Sequence, residues 1–344
     1  MKVALVHDYL VERGGAEKSL AALHELFPDA PIYTSVYNAD STLPVFRSAQ
    51  IRTSFLQRLT SHPGRYRALL PLYPLAFRSF DLRSYDLVIS SASGFAKGVR
   101  LGQNAHHICY CYTPPRFMWE YQHANATEQL QPLARLGLRA LGPYMERFDR
   151  ESATTVDRFL AISCFVADRI AAAYDRSATV VPPPIDCDQF APVSSTGDFF
   201  LVVSRLVPYK RIDVAIEAFN RSRLPLLVVG DGRDRRRLES LAQTDKIRFL
   251  GYLPQTEVNG LLARCRALVL AAEEDFGMAP LEANASGRPV IANGAGEPRS
   301  SRVPVACPVG LPATPPAAVQ SGWSVRASAA RVECCTRRHL PCDK

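Results

Sequence analysis

Residues 198–219, DFFLVVSRLVPYKRIDVAIEAF, decide the fold class of the chain. The apolar run at 199–203 has the length of a buried strand, and a short loop follows it. A helix is predicted next, because four apolar residues repeat at the i, i+3, i+4 and i+7 spacing of one helix face: Ile212, Ala215, Ile216 and Phe219.

The same succession of strand and helix recurs through most of the chain. Strands that alternate with helices predict βαβ units, right-handed crossovers and doubly wound parallel sheets. Ligands of such sheets bind beyond the carboxyl ends of the strands. Ser163 is placed to cap a helix that runs through Ala173. The predicted strands are 3–6, 87–89, 108–110, 159–162, 199–203, 226–229, 247–250, 267–271 and 289–292.

A proline-rich segment separates two halves. Residues 181–186, VPPPID, cannot continue a helix or a central strand, and 194–197, SSTG, are loop-like. A chain of 344 residues is also about twice the usual length of one domain. We therefore predict a first domain at 1–190 and a second at 191–295.

The regular pattern stops after Ala295. Residues 297–344 carry seven prolines, four of the nine cysteines and no sustained periodicity. A disordered tail is one interpretation. The favoured one is a coding frame lost near Gly296, since scattered Pro, Ala, Arg and Cys are typical of a GC-rich gene out of frame. We expect 296–344 to be an aberrant tail and the second domain to be incomplete.

The formal charge of +8 is mild once this tail is set aside, because residues 297–344 contribute +4 through seven Lys/Arg and three Asp/Glu. The remainder suits an anionic ligand or membrane surface and is too weak to indicate nucleic acid. No apolar run approaches the ~20 residues of a membrane span. The cysteines show no regular framework, which predicts free thiols. We expect a cytoplasmic protein.

The segment EEDFGMAPLE, residues 273–282, is the strongest candidate site. It follows a predicted strand and opens a helix at about Pro280, which suits a first helical turn. Gly277 lets the backbone approach a ligand, and the N–H groups of a helix start point outward. Glu274 and Glu282 add carboxylates for hydroxyl groups. Solvated surface acids are the alternative, but the position at a strand end favours a site.

The spacing of Glu274 and Glu282 matches the E-x7-E motif of family 4 retaining glycosyltransferases, which the chain resembles over residues 1 to about 295. The resemblance implies the GT-B fold, in which two Rossmann-like domains face each other across a cleft that binds a nucleotide sugar. It implies that Glu282 holds the nucleotide ribose. It also implies that Glu274 positions the transferred sugar together with backbone groups of Phe276, Gly277 and Met278.

The segment SRLVPYKRID resembles the part of that family in which an Arg and a Lys clasp the donor diphosphate, which assigns these roles to Arg205 and Lys210. A diphosphate leaving group needs cations for its developing charge. Two exposed basic side chains in a loop are the alternative. By the same resemblance, transfer retains the anomeric configuration and needs no metal or other cofactor.

Two first-domain segments resemble the family more weakly. Gly14 and Gly15 in ERGGAEKSL match its glycine loop, where backbone N–H groups face the donor, although many turns use glycine merely to turn. The YTPPR segment matches a cleft-facing stretch that has a histidine in its HTP form. Tyr112 departs from that form, and it either supplies a hydroxyl or loses the contact. Arg116 either holds the acceptor or shapes the cleft.

By the same resemblance, the DFG sequence at 275–277 and the YTPPR segment favour transfer of a hexose, with mannose from GDP-mannose preferred, to a polysaccharide or lipid-linked saccharide. Residues 65–78 mix apolar, aromatic and basic side chains, as a peripheral membrane contact would, and a core helix with basic flanks explains them nearly as well. Two other functions stay open: a truncated pseudoenzyme that binds sugar nucleotide without turnover, and a sugar-nucleotide epimerase of the same architecture. Product analysis separates these alternatives.

Overall fold

The protein consists of two compact units, Met1–Pro184 and Ile185–Lys344. Within the described part of the chain, no helix combines the length and the apolar character that a membrane crossing requires. Only two residues of the predicted tail at 296–344 are described. The hypothesis of a lost coding frame therefore concerns residues outside the described ranges. The computed structural model describes residues 1–60, 63–119, 132–293 and 323–324.

The first unit is built on a seven-stranded parallel sheet with the order β3-β2-β1-β5-β7-β8-β9. The chain starts at the centre of this sheet and winds out to both edges, which is the doubly wound topology that the sequence predicts. A two-stranded sheet pairs β4 with β6. The strands are β1 (Val3–His7), β2 (Ile32–Thr34), β3 (Ile51–Thr53), β4 (Asp81–Leu82), β5 (Leu87–Ala92), β6 (Arg100–Leu101), β7 (His106–Cys111), β8 (Arg158–Ala161) and β9 (Ala178–Val180).

Helices of the first unit pack on this sheet. One core cluster joins Leu5 of β1, Ile32 of β2 and Ile89 of β5 to Leu20. The Ser163 side chain accepts a hydrogen bond from the Val166 N–H, which confirms the predicted cap. The helices are α1 (Gly15–Leu26), α2 (Leu56–Leu59), α3 (Tyr73–Arg78), α4 (Arg116–Trp119), α5 (Pro132–Thr154) and α6 (Cys164–Tyr174).

The second unit has a sheet with the order β12-β11-β10-β13-β14-β15, in which only the pairing of β14 with β15 is antiparallel. The strands are β10 (Phe200–Val203), β11 (Leu226–Val229), β12 (Ile247–Gly251), β13 (Leu268–Leu270), β14 (Val290–Asn293) and β15 (Trp323–Ser324). The helices are α7 (Ile212–Ser222), α8 (Arg235–Leu241), α9 (Gln255–Arg264) and α10 (Met278–Ala285).

Each face of this second sheet has its own core. One cluster contains Val202 and Val228, and the other contains Leu201 and Leu268. Side chains alternate between the faces of a strand, so both faces are covered, as in a parallel sheet with helices on each side. The predicted apolar face of α7 is buried in the first cluster: Ile212, Ala215, Ile216 and Phe219.

Arg288 holds the segment that follows the prolines against the second unit. Its buried guanidinium donates to the carbonyl oxygens of Val193 (2.8 Å), Ser195 (3.0 Å) and Ala263 (2.6 Å) and to Oγ1 of Thr196 (2.6 Å). These neutral acceptors satisfy donors that would otherwise be costly to bury. Arg288 was not singled out from the sequence, because three of its four partners lie more than 90 residues earlier in the chain.

The segment at 65–78 lies in the short helix Pro63–Leu72 and in α3. Tyr66, Tyr73 and Phe77 are buried, so these aromatic side chains belong to the core of the first unit. Arg78 is exposed and forms an ion pair with Glu151 (2.8 Å). The interpretation as a core segment with basic flanks therefore accounts for these aromatic residues. A membrane contact would have to use the exposed side chains of the segment.

The predicted free thiols are confirmed for the five cysteines within the described ranges. Cys109 and Cys111 on β7 are buried, as is Cys265, whereas Cys187 is exposed. A free cysteine behaves as a small apolar side chain, so its burial needs no disulfide.

His107 is a buried neutral imidazole within the first unit. Its Nδ1 lies 3.3 Å from the Thr155 carbonyl oxygen and its Nε2 lies 2.9 Å from Ser90 Oγ. Nδ1 can donate to the carbonyl while Nε2 accepts from the hydroxyl, so a single proton satisfies both contacts. Burial lowers the pKa of His107 to about 4.

This shift predicts a loss of stability in mild acid. An unfolded histidine has a pKa of about 6.5. Below that pH the unfolded chain binds a proton that the folded chain does not bind until the pH is near 4. The contribution of His107 to the stability of the folded chain is therefore fully present above pH 6.5 and falls as the pH drops towards 4. The loss in free energy of unfolding is on the order of 3 kcal/mol. Denaturant unfolding at pH 7 and pH 4.5 should show a smaller difference for His107→Gln than for the wild type. His106→Gln, at the exposed neighbouring residue, should behave as the wild type.

Candidate functional site

The candidate site of the second unit lies at the carboxyl ends of neighbouring strands. Arg205 and Lys210 follow β10, and Glu274 follows β13, which pairs with β10. Parallel strands place the loops that follow them at one edge of the sheet, where ligands of such sheets bind. Three of the predicted site residues therefore share the expected edge.

Lys210 and Glu274 are in direct contact. The Lys210 ammonium donates to Glu274 Oε1 over 2.5 Å, and the two side chains are only 17% and 14% exposed. An ion pair at this depth is screened less by water than one on an open surface. The residue predicted to bind the diphosphate, Lys210, thus lies next to the residue predicted to bind the sugar, Glu274.

Tyr209 connects the two predicted cations. Its hydroxyl oxygen accepts a hydrogen bond from Arg205 Nη2 (2.8 Å), and Lys210 Nζ lies 5.4 Å from the centre of its ring. An ammonium at this distance from an aromatic ring is attracted to it. Tyr209 was not predicted from the sequence, although its position between Arg205 and Lys210 in a short loop is a signal that could have indicated it.

Two glycines support the loop that carries Arg205. A Cβ on Gly230 would lie 1.9 Å from the Ser204 carbonyl oxygen, and one on Gly232 would lie 2.2 Å from that of Leu206. The Leu206 N–H also donates to the Asp231 carbonyl oxygen over 2.9 Å. The GDG sequence at 230–232 is therefore a close backbone support for the loop at 204–206.

The helix α10 begins earlier than the sequence predicts. Gly277 adopts a left-handed conformation (φ +88°), and the helix starts at Met278, so Pro280 is its third residue. A proline is tolerated there because the first N–H groups of a helix have no partner within it. Glu282 becomes the fifth residue of α10 and is only 6% exposed. It is a buried carboxylate inside the helix and lies one turn beyond the helix start.

The glycine loop of the first unit is closed by a glutamate that the sequence analysis missed. Gly14 is the N-cap of α1, and its N–H donates to Glu17 Oε2 over 2.8 Å. Glu17 is buried, and its other oxygen lies 3.8 Å from His7 Nε2. Its place three residues after the N-cap is a capping-box signal. Gly15 is the first residue of the helix.

Tyr112 braces the start of α1. Its buried hydroxyl donates to the Ala16 carbonyl oxygen (3.0 Å) and lies 2.8 Å from Ser91 Oγ. Burial raises the pKa of Tyr112. The hydroxyl thus has partners inside the protein, and a contact with the acceptor stays a prediction.

Arg116 is the first residue of α4, and the end of this short helix is fixed by a buried ion pair. Trp119 Nε1 donates to Asp149 Oδ2 over 2.9 Å, while Lys97 contacts the other carboxylate oxygen. The Tyr174 hydroxyl donates to the same Oδ2 (2.8 Å). The contact of Arg116 with an acceptor stays a prediction.

Residues 188–301 match the family model of glycosyl transferases group 1. This span contains every candidate site residue of the second unit.

Solved structures share the fold of the described chain. HepE of Anabaena in complex with UDP-glucose has a TM-score of 0.59 and is 17% identical, over 87% of this chain and 82% of that one. Sucrose-phosphate synthase from Thermosynechococcus elongatus has a TM-score of 0.61 and is 18% identical, over 86% and 82%. The fold is GT-B. At these identities the likeness concerns the fold alone.

Curated relatives of known name align with parts of the chain. Mannosylfructose-phosphate synthase of Agrobacterium fabrum is 29% identical, over 33% of this chain and 31% of the relative. A D-inositol 3-phosphate glycosyltransferase of Geodermatophilus obscurus is 33% identical, over 37% and 35%. GDP-mannose-dependent alpha-(1-6)-phosphatidylinositol monomannoside mannosyltransferase of Mycolicibacterium smegmatis is 30% identical, over 48% and 48%. The chain therefore spans less than half the length of these relatives.

Proposed function

We propose that the protein is a retaining glycosyltransferase that passes a hexosyl group from a nucleotide sugar to a saccharide acceptor. The observation that carries this proposal is the contact of Lys210 with Glu274, inside the span that matches glycosyl transferases group 1. A cation suited to a diphosphate thus lies beside a carboxylate suited to sugar hydroxyls, which supports the assignment of the two residues to opposite sides of the bond that would break.

The proposed chemistry assigns one role to each group. Arg205 and Lys210 take up the charge that develops on the leaving diphosphate. The diphosphate assists deprotonation of the acceptor on the same face of the sugar, so the configuration is retained without a metal or another cofactor.

The remaining groups position the substrates. Glu282 holds the ribose. Glu274 positions the transferred sugar with backbone groups at 276–278, and the glycine loop at 14–15 offers backbone groups to the donor. Tyr112 and Arg116 are assigned to the acceptor side.

We further propose that the donor is GDP-mannose and that the acceptor is a polysaccharide or a lipid-linked saccharide. The names of two relatives, those from Agrobacterium and Mycolicibacterium, include mannosyl transfer. UDP-glucose in the HepE complex makes a uridine nucleotide the alternative to test. A lipid-linked acceptor would place the protein at the inner face of the membrane, in the cytoplasm, with a peripheral contact.

The melting temperature with GDP-mannose, UDP-glucose and ADP-glucose tests the donor site. A donor at about 100 times its dissociation constant should stabilise the protein by about 2.7 kcal/mol. Glu282→Gln keeps the shape of the side chain and should abolish most of this shift, because the amide offers the ribose one neutral acceptor oxygen where the carboxylate offers two charged ones. Glu217→Gln, at an exposed residue of α7 that pairs with Arg221, is the matched control and should keep the shift.

Product analysis then decides between transfer and the alternatives. Transfer to a saccharide with retained configuration, unchanged by EDTA, is the expected result. An altered sugar nucleotide without an acceptor product would identify an epimerase. Donor binding without any product would identify a pseudoenzyme, and no shift with any nucleotide sugar would contradict the donor site itself.

A further inference from the structure

Lys210 and Glu274 bind each other in this structure, although the proposed function assigns them to different parts of the donor. Both lie mostly out of solvent. By those roles a nucleotide sugar competes for this contact, its diphosphate for Lys210 and its sugar hydroxyls for Glu274. Each group then exchanges one partner for another.

We propose that the Lys210–Glu274 ion pair selects the intact sugar nucleotide against the bare nucleoside diphosphate, and that it promotes release of the diphosphate after transfer. The inference rests on the proposed function, since it uses the roles assigned there. It adds a second role for Glu274, as a competitor of the product for Lys210.

The physical reason is an imbalance of partners. A nucleoside diphosphate offers oxygens to Lys210 but offers no hydroxyl group at the sugar position to Glu274. Its binding separates a partly buried carboxylate from its cation, and it also places two anionic groups close together. A sugar nucleotide avoids the first penalty because its hydroxyls donate to the carboxylate.

Tyr209 favours re-formation of the ion pair once the sugar has left. Its ring lies 5.4 Å from Lys210 Nζ, and its hydroxyl is held by Arg205, so the ring stays beside the ammonium. A cation kept in place by an aromatic face loses less conformational freedom when it pairs with a carboxylate. Glu274 can then form its ion pair with Lys210 again, and the diphosphate is displaced.

Removal of the Glu274 charge should reverse the selectivity. Glu274→Gln keeps the shape of the side chain but removes the charge that competes for Lys210. We expect this variant to bind nucleoside diphosphate about tenfold more tightly than the wild type, which corresponds to the strength of one hydrogen bond to a charged group. The same variant should bind the sugar nucleotide more weakly. Calorimetric titration with UDP, GDP and ADP, and with UDP-glucose, GDP-mannose and ADP-glucose, measures both changes.

Two further variants keep this result interpretable. Glu274→Ala also removes the charge and should likewise tighten diphosphate binding. It takes the place of the Gln variant if that variant does not melt cooperatively. Glu217→Gln removes an equal charge from the same unit at an exposed ion pair and should change neither affinity. Equal tightening in this control would overturn the inference, because the effect would then come from net charge.

The two proposals fail in different ways. If the wild type binds a sugar nucleotide but loss of the Glu274 charge leaves diphosphate binding unchanged or weaker, the selection by the ion pair is overturned and the donor site stands. If neither the wild type nor the variants bind any nucleotide or nucleotide sugar, the proposed function fails and the selection fails with it. Tighter diphosphate binding with weaker sugar-nucleotide binding supports both.

Discussion

Lys97→Met is expected to destabilise the first unit by about 3–5 kcal/mol, because it leaves a buried carboxylate without its cation. Lys97 is 2% exposed and Asp149 is fully buried. Burial alone would lower the pKa of Lys97, but the adjacent Asp149 raises it, and the net shift is upward, so the ammonium stays charged. Thermal or denaturant unfolding of the variant measures the loss.

Surface and double variants show whether burial is the cause. Arg147→Met breaks an exposed ion pair with Glu151 (2.7 Å) and should leave stability nearly unchanged, because water screens this pair. Lys97→Met combined with Asp149→Asn removes both charges and should recover part of the loss. A loss for Lys97→Met no greater than that for Arg147→Met would contradict the assignment of a structural role to this pair.

The buried pair also bears on the predicted acceptor side. Asp149 accepts from Trp119 at the end of α4, the helix that Arg116 begins. Its position on α5, about 30 residues later in the chain, left no local pattern in the sequence. Reasoning from the sequence therefore selected Arg116 and missed the group that holds its helix.

Long elements could be predicted because their patterns repeat several times. The apolar face of α7 and the Ser163 cap are examples. The strands Ile32–Thr34, Ile51–Thr53 and Ala178–Val180 were missed, since three residues cannot show a period. Their pairing is decided by neighbouring strands that are distant in the sequence.

The residue types of the site were predictable, but their contacts were not. Lys210 and Glu274 are separated by 64 residues and meet only because β10 and β13 are neighbours. The strand order is a property of the whole sheet. Conversely, the sequence left open whether Tyr112 supplies a hydroxyl to a sugar or loses that contact, and the structure shows its hydroxyl beside the Ala16 carbonyl oxygen. A motif indicates which residues matter more readily than which atoms they face.

Gly230 is a residue whose structural role could not be predicted from the sequence pattern. Residues 230–232 begin like the dinucleotide fingerprint G-x-G-x-x-G, but the third glycine is absent because position 235 is Arg235. The structure gives this glycine a different reason: it follows β11 with φ +122° and passes close to the Ser204 carbonyl oxygen. Close approach of two backbones requires the absence of a side chain.

Gly230→Ala should therefore both destabilise the second unit and weaken donor binding. The positive φ disfavours any side chain by about 1–2 kcal/mol, and overpacking adds about 1–3 kcal/mol. The 1.9 Å approach to Ser204 can be relieved only by a backbone shift of the loop at 204–206, which carries Arg205. A displacement of about 1 Å at a positioning group can reduce activity about 100-fold.

The control for this prediction is Gly260→Ala in the middle of α9. A Cβ there meets nothing nearer than Arg264 Nη2 at 3.9 Å, so the change should be neutral or stabilise the helix by up to about 1 kcal/mol. Melting curves with and without nucleotide sugar compare the two variants. If Gly230→Ala melts and binds like Gly260→Ala, the backbone contact with Ser204 does not position Arg205. If it folds at reduced stability and has lost the ligand-induced shift, the glycine acts on the donor site through the loop it supports.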